Sequence, residues 1–152
     1  MVNKIVVPRE NLSDYLTEGM RHERYHLYLL DSEDEKIITE AKFFKTHKDA
    51  EGYSNPFGAH LSHISALNVI SQSIIAYYCK KLGKTKYELG EFLGRESFVK
   101  MLRPVSLESS VRCIITPRRT INLKSGFFGN FDYSINEGCF QGRISGIIPL
   151  KI

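Results

Sequence analysis

Asn68 and Gln72 stand four residues apart in the phrase SALNVISQ, with Ser62, Ser65, His60 and His63 just ahead of them. At helical spacing Asn68 lies close in angle to Leu61, Ser65 and Gln72, so one polar strip runs along the segment. The chemistry within reach is that of an acyl carbonyl. The amide oxygen of Asn68 can hold an attacking water, while Gln72 or Tyr53, in the loop upstream, steadies that water or the carbonyl. His63 is the nearby group that titrates close to neutral pH. The helix N-terminus adds backbone N–H groups near Ser62 to Ile64 and a positive dipole end, an oxyanion site. Each of these side chains also has a structural reading. A buried Asn or Gln can bond backbone or a second copy of the chain, His60 can serve the start of the helix, and Tyr53 can anchor its loop.

Other chemistries find no support. His22, His26 and His47 are scattered without a carboxylate or thiolate at ligand spacing, so no metal site is read. No G-x-S-x-G elbow, P-loop or G-x-G-x-x-G occurs, which removes nucleophilic serine hydrolysis and nucleotide cradles. The basic run Pro117-Arg118-Arg119, with Lys124, reads as a solvated turn or as a clamp for the phosphates of a ligand. Lys100 and Arg103 are second candidates for the clamp.

The polar strip sits in an unusual context. From His60 to Cys79 the chain carries no Asp, Glu, Lys or Arg. Ser62 is the expected N-cap, with Leu61 and Ala66 placed as a hydrophobic staple. Lys80 and Lys81 suit the last turn, and Gly83 is the expected C′ residue. Such a helix spans roughly 30 Å. The length would also suit a membrane, but the histidines, amides and serines make that reading costly. A helix enclosed by protein satisfies the pattern better.

A chain of 152 residues is expected to form a single domain over 1–152, with 1–22 as an N-terminal extension holding a short helix at 10–20. The net charge of +4 permits an anionic ligand without the dense clustering that nucleic acid would call for. Cys79, Cys113 and Cys139 form no CxxC pair and read as small hydrophobes. The N-terminal residues lack the long apolar core of a signal peptide, so a cytoplasmic location is expected.

Around the helix the pattern is β. Residues 24–44 read as a hairpin about the acidic turn Asp31-Ser32-Glu33-Asp34, and 45–58 as a loop. Strands are expected over 90–102, 110–116, 120–135 and 139–150, with a turn at Pro117-Arg118-Arg119 and with Gly126 and Gly129 marking bulges or a tight bend within 120–135. A helix apolar on most faces must be wrapped by a sheet or squeezed against a partner. The class is therefore α+β, a curved antiparallel sheet around one long central helix.

That arrangement resembles the hot-dog fold of acyl-thioester enzymes. Asn68 and Gln72 hold the relation of a polar catalytic residue one turn before a frequent Gln. Met101-Leu102-Arg103-Pro104-Val105 looks like the F-R-R-P-V strand end of 3-hydroxyacyl-carrier-protein dehydratases. Two departures stand out: those dehydratases use Glu where Asn68 stands and His where Ser54 stands. Ala59-His60-Leu61-Ser62, and Ser71-Gln72 followed by Ile75-Ala76-Tyr77, are more similar to the FcoT-type long-chain acyl-CoA thioesterases, with Tyr53 near that family's loop Tyr.

The resemblance implies a thioesterase for acyl-CoA or acyl-carrier-protein substrates in fatty-acid or polyketide-type metabolism. Asn68, His63 and Tyr53 would be catalytic, and Ser62, Ser65, Gln72, Arg118 and Arg119 would bind substrate. No cofactor is expected beyond the coenzyme A or phosphopantetheine of the substrate itself. The alternatives are a dehydratase with altered acid–base residues and a non-catalytic acyl-binding module. A homodimer or dimer of dimers is expected, with no nucleic acid and no membrane span.

Overall fold

A computed structural model describes residues 4–8, 11, 23–32, 34–49 and 58–149. The short strand β1 (Lys4–Val6) precedes the hairpin of β2 (Arg24–Leu30) and β3 (Ile37–Lys45). The long helix α1 (His63–Leu82) and the short helix α2 (Lys86–Leu89) follow. Four strands close the chain: β4 (Leu93–Met101), β5 (Val111–Leu123), β6 (Gly126–Ile135) and β7 (Phe140–Ile148). They form one sheet in the order β1-β2-β3-β5-β6-β7-β4, antiparallel at every pair, so β1 and β4 are its edges. Register shifts at Arg24/Tyr25, Gly94/Glu96 and Pro117/Arg119 give the bulges that bend strands and sharpen twist.

The concave face of this sheet holds α1. Its first turn starts as the sequence requires: the Ser62 side chain accepts from the Ser65 amide at 3.1 Å. It ends at Gly83, whose φ of 61° is left-handed. Ile70, Ile74 and Ile75 are fully buried, as are Leu27, Ile37, Ile115, Phe131 and Ile135 from the sheet. Each such side chain contributes about 1.5–3 kcal/mol relative to exposure. Farther along, Tyr78 packs on Phe127 and Phe131 of β6, with ring centroids 4.5 and 6.3 Å away.

Three expectations are corrected. Pro117-Arg118-Arg119 is a bulge inside the continuous strand β5, which runs on to Leu123. Pro117 pairs with Phe131 beside the extra residue Arg118, past Ile115 where the pairing of β5 with β3 ends, so the proline stands on a side of β5 that has lost one neighbour. The β segment read over 120–135 is two strands, divided at a turn of Lys124 and Ser125, next to Gly126 where a bulge or tight bend is expected. The strand expected from residue 90 starts at Leu93, behind α2, where the Glu88 carboxylate accepts from the Thr85 amide at 2.8 Å. The expected helix at 10–20 lies outside the described residues.

No helix among the described residues is long and apolar enough to cross a membrane. Cys79 and Cys113 are buried and Cys139 half-buried, all with free thiols. Burial pushes the Cys79 and Cys113 thiols up to about 11 and about 12. Neither is a thiolate nucleophile near neutral pH.

Candidate active site

Three segments converge where α1 begins. The chain leading into the helix is pinned by backbone bonds, Leu61 N–H to Val105 C=O at 2.8 Å and Leu107 N–H to Ala59 C=O at 3.0 Å. The Arg103-Pro104-Val105 segment thus serves as the clasp that sets the helix start. The first turn then presents its N–H groups, which a helix leaves unbonded within itself, at a fixed place.

Onto this turn β2 brings Glu23 and Tyr25. The two lie on the inward face of the strand line that continues through the buried Leu27 and Leu29. Glu23 has only 6% of its side chain exposed. Its Oε2 accepts from the Ser65 hydroxyl at 2.5 Å, and the hydroxyls of Ser65 and Ser62 lie 2.7 Å apart. A buried carboxyl at this position is favoured by the helix dipole.

The third arrival is His47. After β3 the chain makes a single 3₁₀ turn, His47–Asp49, closed by the Asp49 carboxylate on the Thr46 amide at 2.8 Å. The turn sets His47 Nδ1 3.1 Å from Glu23 Oε1. With Nδ1 donating to that oxygen, the carboxylate orients the imidazole ring. The exposed His60 ring stands edge-on to His47 with centroids 5.8 Å apart. The network therefore runs Ser62, Ser65, Glu23, His47, from an exposed hydroxyl through two buried groups to a half-buried imidazole. It is not a serine-nucleophile triad, because the carboxyl lies between hydroxyl and imidazole. Its carboxyl–imidazole contact is Glu23 with His47.

One turn deeper, Asn68 is buried and its Oδ1 accepts from the Tyr25 hydroxyl. Burial chiefly, then Cys113 and Glu23, push the Tyr25 phenol above its ordinary range, so it stays protonated and donates. Sequence spacing assigned the Asn68 oxygen to an attacking water; the structure gives it Tyr25 as a donor. Gln72 is fully buried a turn farther in, and beside it on the helix Ser73 shares a hydrogen bond of 2.7 Å with Thr39 of β3.

The remaining expected site residues are dispersed. Ser62 and Ser65 join the network described above. His63 is exposed on the first turn and makes no hydrogen bond to Glu23 or His47 among the described residues. Arg118 is on β5 with its Nε donating to Asp132 at 2.6 Å, and Arg119 is exposed beside it; neither belongs to the network at the helix start. Tyr53 lies outside the described residues. Among the described residues no cluster of three metal-ligating side chains occurs. Glu23, Tyr25 and His47 were missed by the sequence reading. Their signal was the hairpin register, which pairs Arg24 with Lys45 and so sets Glu23 beside the turn that holds His47.

One long helix held in a curved seven-stranded antiparallel sheet, with polar groups gathered at the helix start, defines the hot-dog fold. Solved structures agree. The dehydratase heterocomplex ApeI:P from Xenorhabdus doucetiae superposes with a TM-score of 0.62 at 14% identity, covering 97% of this chain and 93% of that one. A putative thioesterase from Shewanella oneidensis gives a TM-score of 0.52 at 12% identity, covering 90% of each chain. No protein-family model matches the chain, and no curated protein matches its sequence.

Proposed function

We propose that the protein is a hydrolase of acyl thioesters, acting on an acyl-CoA or acyl-carrier-protein substrate with a fatty or polyketide-like chain. The observation that carries this reading is Glu23 bonded at once to His47 and to Ser65 in the first turn of α1. The pair supplies a base, and the helix start supplies oxyanion donors within the same few residues. A thioester carbonyl set against the amides of His63 and Ile64 has its oxygen polarised by N–H groups and dipole. Water gives its proton to the Glu23–His47 pair as its oxygen bonds the carbonyl carbon. The carbon–sulfur bond then breaks, and the proton passes to the departing thiolate. Asn68 and Tyr25 hold helix and strand in register beneath the pair, a positioning role.

The test is thiol release from a panel of acyl-CoAs of graded chain length by the intact protein and by Glu23→Gln. Hydrolysis that the substitution removes supports the reading. A flat panel with measurable acyl-CoA binding overturns it in favour of an acyl-binding module.

A second reading is favoured by the same carboxyl–imidazole pair, because those are the groups that dehydration of a 3-hydroxyacyl thioester needs. One takes the α-proton and the other protonates the departing hydroxyl. Appearance of an enoyl thioester from a 3-hydroxyacyl substrate, without free thiol, would replace hydrolysis with this reaction.

A further inference from the structure

Glu96, Phe98, Asn130, Arg143 and Ser145 line a cavity of about 450 Å³ on the outer face of the sheet, the face turned away from α1. That volume is in the range of small-molecule sites. The strand register builds it. Asn130 of β6, Ser145 of β7 and Glu96 of β4 stand opposite one another in one cross-strand row, and Asp132, Arg143 and Phe98 form the next. Between Arg143 and Ser145 the buried Ile144 points to the core, so its two neighbours point outward. Ser145 is the smallest side chain of the two rows, and the surface dips over it. A bulge lies directly ahead of Glu96, the kind of irregularity that re-aims a side chain.

Two polar groups in this cavity are buried without a partner. Ser145 is only 7% exposed, and its hydroxyl makes no hydrogen bond among the described residues. The Oδ1 of Asn130 is buried and has no partner among them either. Leaving such a group unpaired costs about 1–3 kcal/mol, which a hydrogen-bonding ligand relieves.

The charges define the class of ligand. Asp132 holds Arg143 by its Nε at 2.8 Å, which leaves the two terminal nitrogens of the guanidinium for another acceptor. Glu96 is the diagonal neighbour of Arg143 on the adjacent strand, near enough for two long side chains to meet. They form no ion pair among the described residues. Opposite charges therefore border one cavity and leave it open between them. A simple cation would be set against Arg143, and a simple anion against Glu96. A molecule that carries both signs satisfies both walls: its carboxylate suits the guanidinium fork, and its ammonium suits the Glu96 carboxylate. Phe98, 65% exposed at the rim, offers an aromatic face to whatever apolar group such a molecule carries.

We propose that this cavity binds a free α-amino acid with an apolar or aromatic side chain, its carboxylate on Arg143 and its ammonium on Glu96. The site lies across the sheet from Glu23 and His47, so the proposal goes beyond thioester hydrolysis and stands without it. Isothermal titration calorimetry on the full chain tests it with L-phenylalanine, L-leucine, 3-phenylpropionate, which lacks the ammonium, and phenethylamine, which lacks the carboxylate. At least one amino acid is expected to bind with a Kd of about 1 mM or tighter, and each singly charged analogue at least about tenfold more weakly than L-phenylalanine. Glu96→Gln is expected to erase the preference for L-phenylalanine over 3-phenylpropionate. Ser145→Leu fills the floor and is expected to abolish binding, with circular dichroism as the check of folding. Glu96 is exposed, so Glu96→Gln carries the test should Ser145→Leu fail to fold. No binding of either amino acid at about 10 mM overturns the proposal. So does equal affinity for either singly charged analogue, or a preference that Glu96→Gln leaves unchanged.

Discussion

Glu23 and His47 lie 24 positions apart in the chain and 3.1 Å apart in the fold. One precedes β2 and the other follows β3, so the hairpin register alone makes them neighbours. This pair changes the chemistry open to the polar strip of α1. Amides orient water and carbonyls but move no protons; a carboxyl bonded to an imidazole does. Because Ser65 ties the same carboxyl to the first turn, the Glu23–His47 pair and the helix-start amides are fixed to one another by a few bonds.

Glu23→Gln is expected to lower turnover of an acyl thioester by about 10²–10⁴-fold, the usual contribution of a positioned acid or base. The substituted amide keeps the volume and an acceptor oxygen for Ser65, so the melting temperature should change little by comparison. His47→Asn should lower turnover alike, and the double variant no further than the worse single one. Steady-state rates alongside thermal melts decide this, and full activity in Glu23→Gln would remove the pair from the mechanism.

Tyr25→Phe deletes the donor to a buried amide oxygen and is expected to cost about 1–3 kcal/mol of stability. Asn68→Ala removes the partner, and the double variant should cost less than the two singles summed, with a coupling of about 0.5–3 kcal/mol. Urea titrations of the four proteins measure the cycle. If the role of Asn68 is to accept from Tyr25, turnover of the folded Asn68→Ala protein should fall less than that of Glu23→Gln. The reverse order would place Asn68 at the reacting atoms.

The helix was legible in the sequence because local rules decide it. The uncharged run, Ser62 as cap and Gly83 as left-handed terminator lie within one contiguous segment. The hairpin turn was legible for the same reason. β5 was not, since Pro117 reads as a stop unless a bulge receives it, and the bulge is set by pairing with β6. The Glu23–His47 pair was hidden more deeply. Nothing in the spacing of Glu23 and His47 signals contact until the register of two strands is known, whereas Asn68 and Gln72 announce themselves by helical period. Local periodicity drew the sequence reading to Asn68, Gln72 and His63 on the helix, and tertiary pairing brought Glu23 to His47.

Asp132 gathers Arg143 Nε at 2.8 Å and Arg118 Nε at 2.6 Å on the outer face of the sheet. The Arg143 hydrogen bond first, with Arg118 assisting against partial burial, holds its carboxyl below the ordinary aspartate range. A carboxyl lowered on folding contributes stability that is complete above its unfolded value of about 3.9 and fades as pH falls through the folded value. Asp132→Asn should therefore cost up to about 1 kcal/mol at pH 7, the scale of an exposed ion pair, and less in strong acid. Urea midpoints of both proteins across the acid range would show the two curves converging as pH drops; parallel curves would mean the arginines contribute through packing alone.

Gly142 on β7 is where the edge strand depends on the absence of a side chain. A Cβ there would lie 2.1 Å from the Phe98 carbonyl oxygen and 2.6 Å from both Cζ and Oη of Tyr133. Backbone on one side and a buried aromatic on the other leave little room to yield. Gly142→Ala is expected to cost about 1–3 kcal/mol or more, as overpacking does. The damage should be local, because the clash parts β4 from β7 and breaks the Tyr133 bond to the Phe98 carbonyl. Hydrogen exchange should quicken at β4 amides that face β7 while α1 and the β2–β3 hairpin keep their protection. Gly94→Ala is the control: its Cβ would meet only a Phe92 ring carbon at 4.0 Å, and stability should hold. If exchange in Gly142→Ala instead rose uniformly across the sheet, β4 would be part of the cooperative core and not a separable edge.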